Sequence, residues 1–152
     1  MLFRSGIAAA RREAQSMDLS NARFEVKDVA TIDGSAKYDV IFVFDAIHDQ
    51  AKPRAVLKGI HDSLKPDGLF LCSDIHASSN VHENIGAPMA PMMYMCSTFH
   101  CMTVSLALGG EGLGTMWGEQ KAQELFAEAG FNDVDIRYVD GDFMNSYYIA
   151  RP

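Results

Sequence analysis

The sequence has few cysteines, no long apolar run and no secretory signal. Its 152 residues include 3 cysteines, an odd number without the CxxC spacing of common zinc sites. Free thiols in a reducing compartment are therefore expected, and a disulfide framework is not. No apolar stretch approaches the roughly 20 residues that span a bilayer. These absences predict a cytoplasmic protein with no membrane partner.

Positive charge is also scarce, and this excludes a second class of partner. The formal net charge is −7, and the Lys and Arg residues form no basic run that would bind nucleic-acid phosphates. The length fits one domain, and 48% hydrophobic residues are enough for one core. A single acidic domain of this kind suits small-molecule chemistry.

The apolar pattern of the first half alternates between helix and strand. Residues 6–17 are rich in strong helix formers, and residues 22–28 alternate as in a short strand. Residues 38–44, YDVIFVF, form the continuous run typical of a strand buried on both faces. Helical spacing over residues 51–64 then precedes the apolar residues 69–75. This order predicts a right-handed unit of two parallel strands joined by a helix.

The second half of the chain predicts helices followed by a hairpin. Residues 77–116 are too long for a simple connection, so we expect a cap insertion with helices of its own. Residues 117–129 form an amphipathic pattern that Gly130 ends. Two apolar segments, residues 133–140 and 145–152, are separated only by a short turn, which forces an antiparallel hairpin. The predicted fold class is α/β.

The order of these elements resembles the class I S-adenosylmethionine-dependent methyltransferase family. The segment IAAARREAQSMDLSNARFEVKDV is similar to the family helix and strand that lead to the adenine site, and LKGIHDSLKPDGLFLCSD is similar to the family's LKPGG helix and strand. The residues AGF, 129–131, which precede the predicted hairpin, are also similar to the family pattern. The likeness is closest to small-molecule O-methyltransferases, which carry HD at the same strand end. The resemblance implies a Rossmann-like sheet, S-adenosylmethionine as cofactor and methyl transfer to a small-molecule acceptor, with oxygen as the expected acceptor atom.

The first two strands of that family and its Gly-rich loop have no counterpart here. GGEGLG, residues 109–114, is the main Gly-rich stretch, and no strand precedes it. We therefore interpret residues 1–152 as a partial methyltransferase domain that lacks the first two strands and is inactive by itself. Residues 1–5, MLFRS, can be back-translated to the end of a sequencing-library adapter and are interpreted as foreign to the gene.

Two polar residues after the strand at residues 38–44 are the candidate catalytic residues. His48 and Asp49 match the HD motif, in which the resemblance makes the histidine the general base. An imidazole of pKa about 6.5 is mostly neutral and basic at cellular pH. Asp49 would hold the imidazole or a backbone group, or else both residues merely begin the next helix, with Asp49 near its N-cap. Asp74 and His76 end the following strand.

Four residues are candidate cofactor contacts by the same resemblance. Asp28 matches the acid that binds the adenine amino group, and Val29 would contact the ring. The alternative for Asp28 is a plain turn-forming aspartate. Phe44 and Asp45 match residues that line the cofactor cleft, although Phe44 stands where the family often has a polar side chain.

The cap region is rich in flexible apolar side chains, which suit an aromatic acceptor or simply form core. They are Met89, Met92, Met93, Tyr94, Met95, Phe99 and Met102. Glu111 and Glu119 lie near the position of the family glutamate that orients the catalytic histidine, and the sequence assigns that role to neither.

A metal site is not predicted, because the histidines and cysteines match no standard ligand spacing. The residues considered are His76, His82, Cys96, His100 and Cys101.

The alternative function is a non-catalytic ligand- or cofactor-sensing module of a regulator with the same fold. A homodimer is left open. Loss of two strands would expose the apolar residues 38–44 as a sheet edge, which predicts poor solubility or self-association.

Overall fold

The computed structural model describes residues 2–152, without the side chains of residues 2–4. One sheet contains the strands β1 Tyr38–Phe44, β2 Leu64–Ile75, β3 Asp133–Arg137 and β4 Asn145–Arg151. Their order is β1-β2-β4-β3. β1 and β2 are parallel, whereas β4 pairs antiparallel with both β2 and β3. The predicted α/β fold, with its parallel pair and C-terminal hairpin, is confirmed.

Within the described residues, five α-helices accompany the sheet. They are α1 Leu2–Ser16, α2 Pro53–Ser63, α3 Ala90–Cys96, α4 Met102–Ala107 and α5 Gly118–Ala129. Short 3-10 helices cover Val29–Thr31 and Val81–Asn84, and a π-helical turn, Ser97–Cys101, joins α3 to α4. Of the residues interpreted as foreign, Met1 lies outside the description. Between residues 2 and 152, no helix has the length and apolarity that a membrane crossing needs.

The predicted strand at residues 22–28 is wrong. The segment is irregular and leads into the 3-10 helix Val29–Thr31. β1 ends the sheet on this side, so residues 22–28 have no strand beside them within the described chain. An alternating pattern cannot make a strand without a partner, because the backbone hydrogen bonds of a strand are made to its neighbour.

The prediction that β1 is buried on both faces is also wrong. Every second side chain of β1 points to the same face of the sheet, and one of these faces is open to solvent. Its side chains, which are 38% to 61% exposed, are Tyr38, Val40, Phe42 and Phe44. Ile41 and Val43, on the other face, pack against the core. Because β1 pairs only with β2 among the described strands, one edge of β1 is open as well. The position of a strand in the sheet therefore decides its burial, and a continuous apolar run does not.

The core lies between the sheet and helices α2 and α5. An aromatic group of Phe70, Phe126, Phe131 and Tyr148 fills it, with neighbouring ring centroids 5.4 to 5.9 Å apart. All four side chains are essentially inaccessible to solvent. Gly130 ends α5 with a φ of +109°, a conformation that favours glycine. This packing supports the parallel pair, in which Phe44 lies opposite Ser73.

Candidate active site

His48 and Asp74 form a buried pair beyond the sheet. The two strands that precede them are parallel neighbours, so their carboxyl ends lie side by side. Nδ1 of His48 is 2.7 Å from Oδ1 of Asp74, and the residues are 4% and 0% exposed. A carboxylate can only accept a hydrogen bond, so Nδ1 carries the proton and the lone pair of a neutral imidazole lies on Nε2. The pair therefore presents a base with a defined tautomer.

Asp74 has few other partners. The backbone N–H of Ile75 donates to Oδ1 of Asp74 at 2.8 Å. Oδ2 is buried and has no hydrogen-bond partner among the residues that the structure describes. A buried carboxylate oxygen without a partner is costly. His48 is therefore the main side-chain partner of Asp74.

The surroundings of His48 raise its pKa. Burial alone lowers the pKa of an imidazole, but the hydrogen bond to Asp74 and the charges of Asp74, Asp49 and Asp45 outweigh it. Oδ1 of Asp49 lies 3.4 Å from Nε2 of His48. These carboxylates stabilise the imidazolium that forms when Nε2 accepts a proton. The arrangement strengthens the base.

Asp49 is not the N-cap of α2. That helix begins at Pro53, and the capping residue is Lys52, whose side chain makes no capping hydrogen bond. The carboxylate of Asp49 instead faces the ring of His48. Its position therefore supports the predicted contact with the imidazole over the helix-start alternative.

The chain leaves β1 through a strained residue. Asp45 has a φ of +45°, which is unfavourable for a residue with a side chain. Its N–H donates to the carbonyl oxygen of Ser73 at 2.9 Å and holds the turn against β2. Desolvation and then the nearby charge of Asp74 raise the pKa of Asp45. Strain of this kind is concentrated at functional sites.

A groove of about 920 Å³ lies along β1 and residues 25–29. Asp28, Val29 and Phe44 line it, together with many apolar side chains. Asp45, the fourth predicted cofactor residue, is not among the lining residues within the described chain. An apolar groove that also contains the carboxylates of Glu25 and Asp28 can hold a planar heterocycle and bind one of its amino groups.

Asp28 also has a local role. Its carboxylate Oδ1 accepts a hydrogen bond from the N–H of Ala30 at 3.0 Å and caps the 3-10 helix. This is the turn-forming role considered as the alternative. A carboxylate has further lone pairs, so the capping bond leaves Asp28 able to bind a ligand in the groove.

A smaller cavity, of about 90 Å³, adjoins the end of β2. Ile75 and His76 line it, and so do Met89 and Met93 from the methionine-rich segment. The large groove is lined by Ile47, immediately before His48. Each member of the histidine–aspartate pair therefore directly adjoins, in the chain, a residue that lines one of the two cavities. Other apolar side chains of the same segment are exposed by 51% to 79%; they include Met92, Met95 and Phe99.

The two glutamates considered as partners of the catalytic histidine bind other residues. Oε2 of Glu111 accepts a hydrogen bond from Nε of Arg54 at 3.0 Å. Oε1 of Glu119 lies 3.0 Å from Nδ1 of His76 and accepts a hydrogen bond from the hydroxyl of Tyr138 at 3.1 Å. Both glutamates thus stabilise contacts between elements.

Asp74 is the site residue to which the sequence analysis assigned no role. It lies on the neighbouring parallel strand, 26 residues from His48. The signal was available: polar residues at the ends of adjacent parallel strands meet at one sheet edge. The exact register that brings the two side chains together required the structure.

Known structures with the same fold were found, although no curated protein sequence matches the chain. A candidate O-methyltransferase from Nostoc punctiforme PCC 73102 has 17% identity and a TM-score of 0.70, over 96% of this chain and 42% of that one. An O-methyltransferase family protein from Burkholderia thailandensis has 17% identity and a TM-score of 0.67, over 95% and 40%. The structure named PigF with SAH has 19% identity and a TM-score of 0.62, over 95% and 40%.

These values show the fold, and the chain spans less than half of the structures that it resembles. The family model described as a methyltransferase domain matches residues 4–130. That match includes β1, β2 and the histidine–aspartate pair. This chain belongs to the methyltransferase domain family and has its class I fold.

Proposed function

We propose that this protein transfers a methyl group from S-adenosylmethionine to an oxygen atom of a small molecule. The observation that carries the proposal is the buried pair of His48 and Asp74, whose facing atoms are 2.7 Å apart. Two of the similar structures are named as O-methyltransferases, and a third is named as a complex with SAH. Transfer between two bound molecules requires a site for each of them, and the two cavities are the candidate sites.

The large groove fits the adenine end of the cofactor. Asp28 would accept a hydrogen bond from the amino group, while Val29 and Phe44 would contact the ring. Asp45 would contribute at the edge of the same cleft. Bound S-adenosylmethionine supplies an electrophilic methyl group. The segments that precede β1 contain few glycines and no Gly-rich loop that would hold the methionine end of the cofactor.

The protein's own part in the reaction is proton removal from the acceptor. Nε2 of His48 accepts the proton of the acceptor hydroxyl, and Asp74 holds Nδ1 protonated so that the free lone pair is always on Nε2. Asp49, 3.4 Å from Nε2, stabilises the imidazolium electrostatically. A positioned base of this kind contributes about 10² to 10⁴ in rate.

The smaller cavity is the candidate acceptor site. Met89 and Met93 give it an apolar and adaptable wall, and His76 and Asn84 give it polar side chains. A small, partly apolar acceptor with a hydroxyl group fits this lining. Residues 77–116 would act as the cap over it.

We further propose a cytoplasmic location, because the three cysteines are free. We also propose a homodimer as one form of the self-association expected at the edge of β1.

The test combines donor binding with product formation. Calorimetry should compare S-adenosylmethionine with S-adenosylhomocysteine, and a panel of phenols should then be assayed for methylated products. In the longest product of the gene, His48→Ala should lower turnover at least about tenfold with donor affinity nearly unchanged, because the base acts on the acceptor. His82→Ala, a change of an exposed histidine outside the site, is the matched control. Equal losses of turnover and donor affinity would contradict the role of His48.

Both this 152-residue chain and the longest product of its gene should be tested. For the chain itself we expect donor binding no tighter than the millimolar range and no turnover, because few groups are available for the methionine end of the donor. Donor binding by the longest product with no transfer to any acceptor would instead favour a sensing module. Micromolar binding by the 152-residue chain would show that other residues replace the missing contacts.

A further inference from the structure

A third side chain approaches His48 and Asp49 from the other half of the chain. Cys101 ends the π-helical turn Ser97–Cys101 and is 6% exposed. A ring nitrogen of His48, a carboxylate oxygen of Asp49 and Sγ of Cys101 all lie within 4.8 Å of one another. Nitrogen, oxygen and sulfur ligands thus meet at one point beyond the sheet.

The spacing of these atoms is close to that of a tetrahedral metal site. Zinc bonds of about 2.0 to 2.3 Å place neighbouring ligand atoms about 3.3 to 3.8 Å apart. Nε2 of His48 and Oδ1 of Asp49 are 3.4 Å apart, which is already within that range. Sγ of Cys101 has to move by only about 1 Å to complete the set.

The outer contacts of His48 point to the same chemistry. A metal-bound histidine usually donates its second N–H to a carboxylate, which fixes the tautomer and the ring orientation. Asp74 receives such a bond from Nδ1 of His48, and its own position is held by the N–H of Ile75. Nε2 is consequently directed to the side where Asp49 lies.

The position of Cys101 depends on an unusual backbone feature. Single π-helical turns are rare and often mark functional sites, because the extra residue turns the following side chains to a new direction. Here the turn places Cys101 beside Oγ1 of Thr115, 3.0 Å away, and near Asp49. The thiol is therefore held beside Thr115 and Asp49 by weak hydrogen bonds, which a metal can replace.

We propose that His48, Asp49 and Cys101 form a three-ligand site for a divalent cation of the zinc class. The fourth position is open to water or another ligand, as in zinc sites with three protein ligands. The sequence analysis predicted no metal because the histidines and cysteines match no standard ligand spacing, and it did not consider His48 and Asp49 as ligands. A cation on Nε2 occupies the lone pair that accepts the acceptor proton, so zinc is expected to inhibit methyl transfer reversibly. This last consequence rests on the proposed function, but the binding itself does not.

The metal alone tests the site. The 152-residue chain, stripped with a chelator, should be titrated with Zn²⁺ against a chromophoric indicator and with Co²⁺ by absorption. We expect one equivalent to bind in the micromolar range or tighter, with a thiolate-to-cobalt charge-transfer band. Cys101→Ser should remove that band and weaken zinc binding at least about tenfold, whereas Asp74→Asn should weaken it about 10- to 100-fold.

Cys96→Ser is the matched control, since Cys96 is a free thiol on α3 outside the three-ligand set. It should keep both the band and the affinity, and circular dichroism should show that every variant is folded. No stoichiometric binding by the unmodified chain, or a band that survives Cys101→Ser, would overturn the proposal. The titration needs no methyl transfer, so absence of transferase activity and absence of a metal site are separate outcomes.

Discussion

Nδ1 of His48 lies 2.7 Å from Oδ1 of Asp74, although 26 residues separate them in the chain. The parallel pairing of β1 with β2 brings both to one sheet edge, where burial removes them from solvent. A short hydrogen bond to an ionised group is among the stronger single contacts in a protein. Properties of the site should therefore change when this one contact is altered.

Asp74→Asn should lower the pKa of His48. The pKa of His48 is above its usual value because the hydrogen bond and charge of Asp74 outweigh burial, and the amide removes the charge. NMR titration of the imidazole signals in chelator-containing buffer measures it, with the exposed His82 as internal reference. An unaltered His48 pKa would contradict the charge interaction.

The same shift has a consequence for stability. A histidine whose pKa is raised on folding contributes stability that is complete below the unfolded pKa of about 6.5 and is lost as pH rises through the folded pKa. In the unmodified chain, this contribution to the free energy of unfolding should therefore fall as the pH rises from about 6.5 through the folded pKa of His48. In Asp74→Asn this part of the pH dependence should be smaller, as denaturant titrations at several pH values will show.

Asp28→Ala should weaken donor binding by about 1 to 3 kcal/mol, the cost of one unmade hydrogen bond in the groove. Asp28→Ser separates the two roles of this residue, because serine keeps an acceptor for the N–H of Ala30 but has no carboxylate. If Asp28 binds the donor, both variants should show the loss in calorimetry. A loss in the alanine variant alone would assign Asp28 to the turn.

Phe42→Lys should reduce self-association of the 152-residue chain. Phe42 is 58% exposed on the open face of β1 and stacks with Phe44, with ring centroids 6.1 Å apart. A charge on an exposed apolar strand opposes pairing with another chain. Val81→Lys, at a 65% exposed apolar position away from the sheet, is the control. Sedimentation should show a smaller species only for the first variant, and a monomeric unmodified chain would refute the prediction.

Asp142→Asn should lower the stability of the hairpin at neutral pH but not at strongly acid pH. Hydrogen bonds from Tyr147 and Asn145 and from the N–H of Met144 lower the pKa of Asp142 to about 2. The shortest of these hydrogen bonds is donated by the hydroxyl of Tyr147 to Oδ2 of Asp142, at 2.6 Å. A carboxylate with a lowered pKa contributes stability above its unfolded pKa of about 4 and loses it as pH falls through the folded pKa.

Thermal unfolding between pH 7 and pH 2 measures this effect of Asp142. The unmodified chain should be the more stable one at pH 7, and its advantage over Asp142→Asn should disappear between about pH 4 and pH 2. A constant difference in Tm across this range would show that the charge of Asp142 makes no contribution.

Element type and order followed from the sequence because they depend on local patterns. Helices α2 and α5 and the strands β1 and β2 were predicted from apolar spacing, and the hairpin from the shortness of its turn. His48 and Asp49 were recognised because they directly follow an apolar strand. Each of these features depends on residues close together in the chain, so their spacing in the sequence is itself the signal.

Tertiary structure decided every feature that needs a partner. Residues 22–28 have a strand pattern but no neighbouring strand in the described chain, and β1 has an apolar run but only one neighbour. A pattern of side chains cannot reveal which backbone lies beside it.

The composition of the site depended on tertiary structure in the same way. Asp74 reaches His48 through the register of two parallel strands, and Cys101 reaches Asp49 through a π-helical turn. Separations of 26 and 52 residues carry no local signal. The sequence determined where the chemical groups lie along each element, and the packing of the elements determined which groups meet, because contact between distant residues is a property of the folded arrangement.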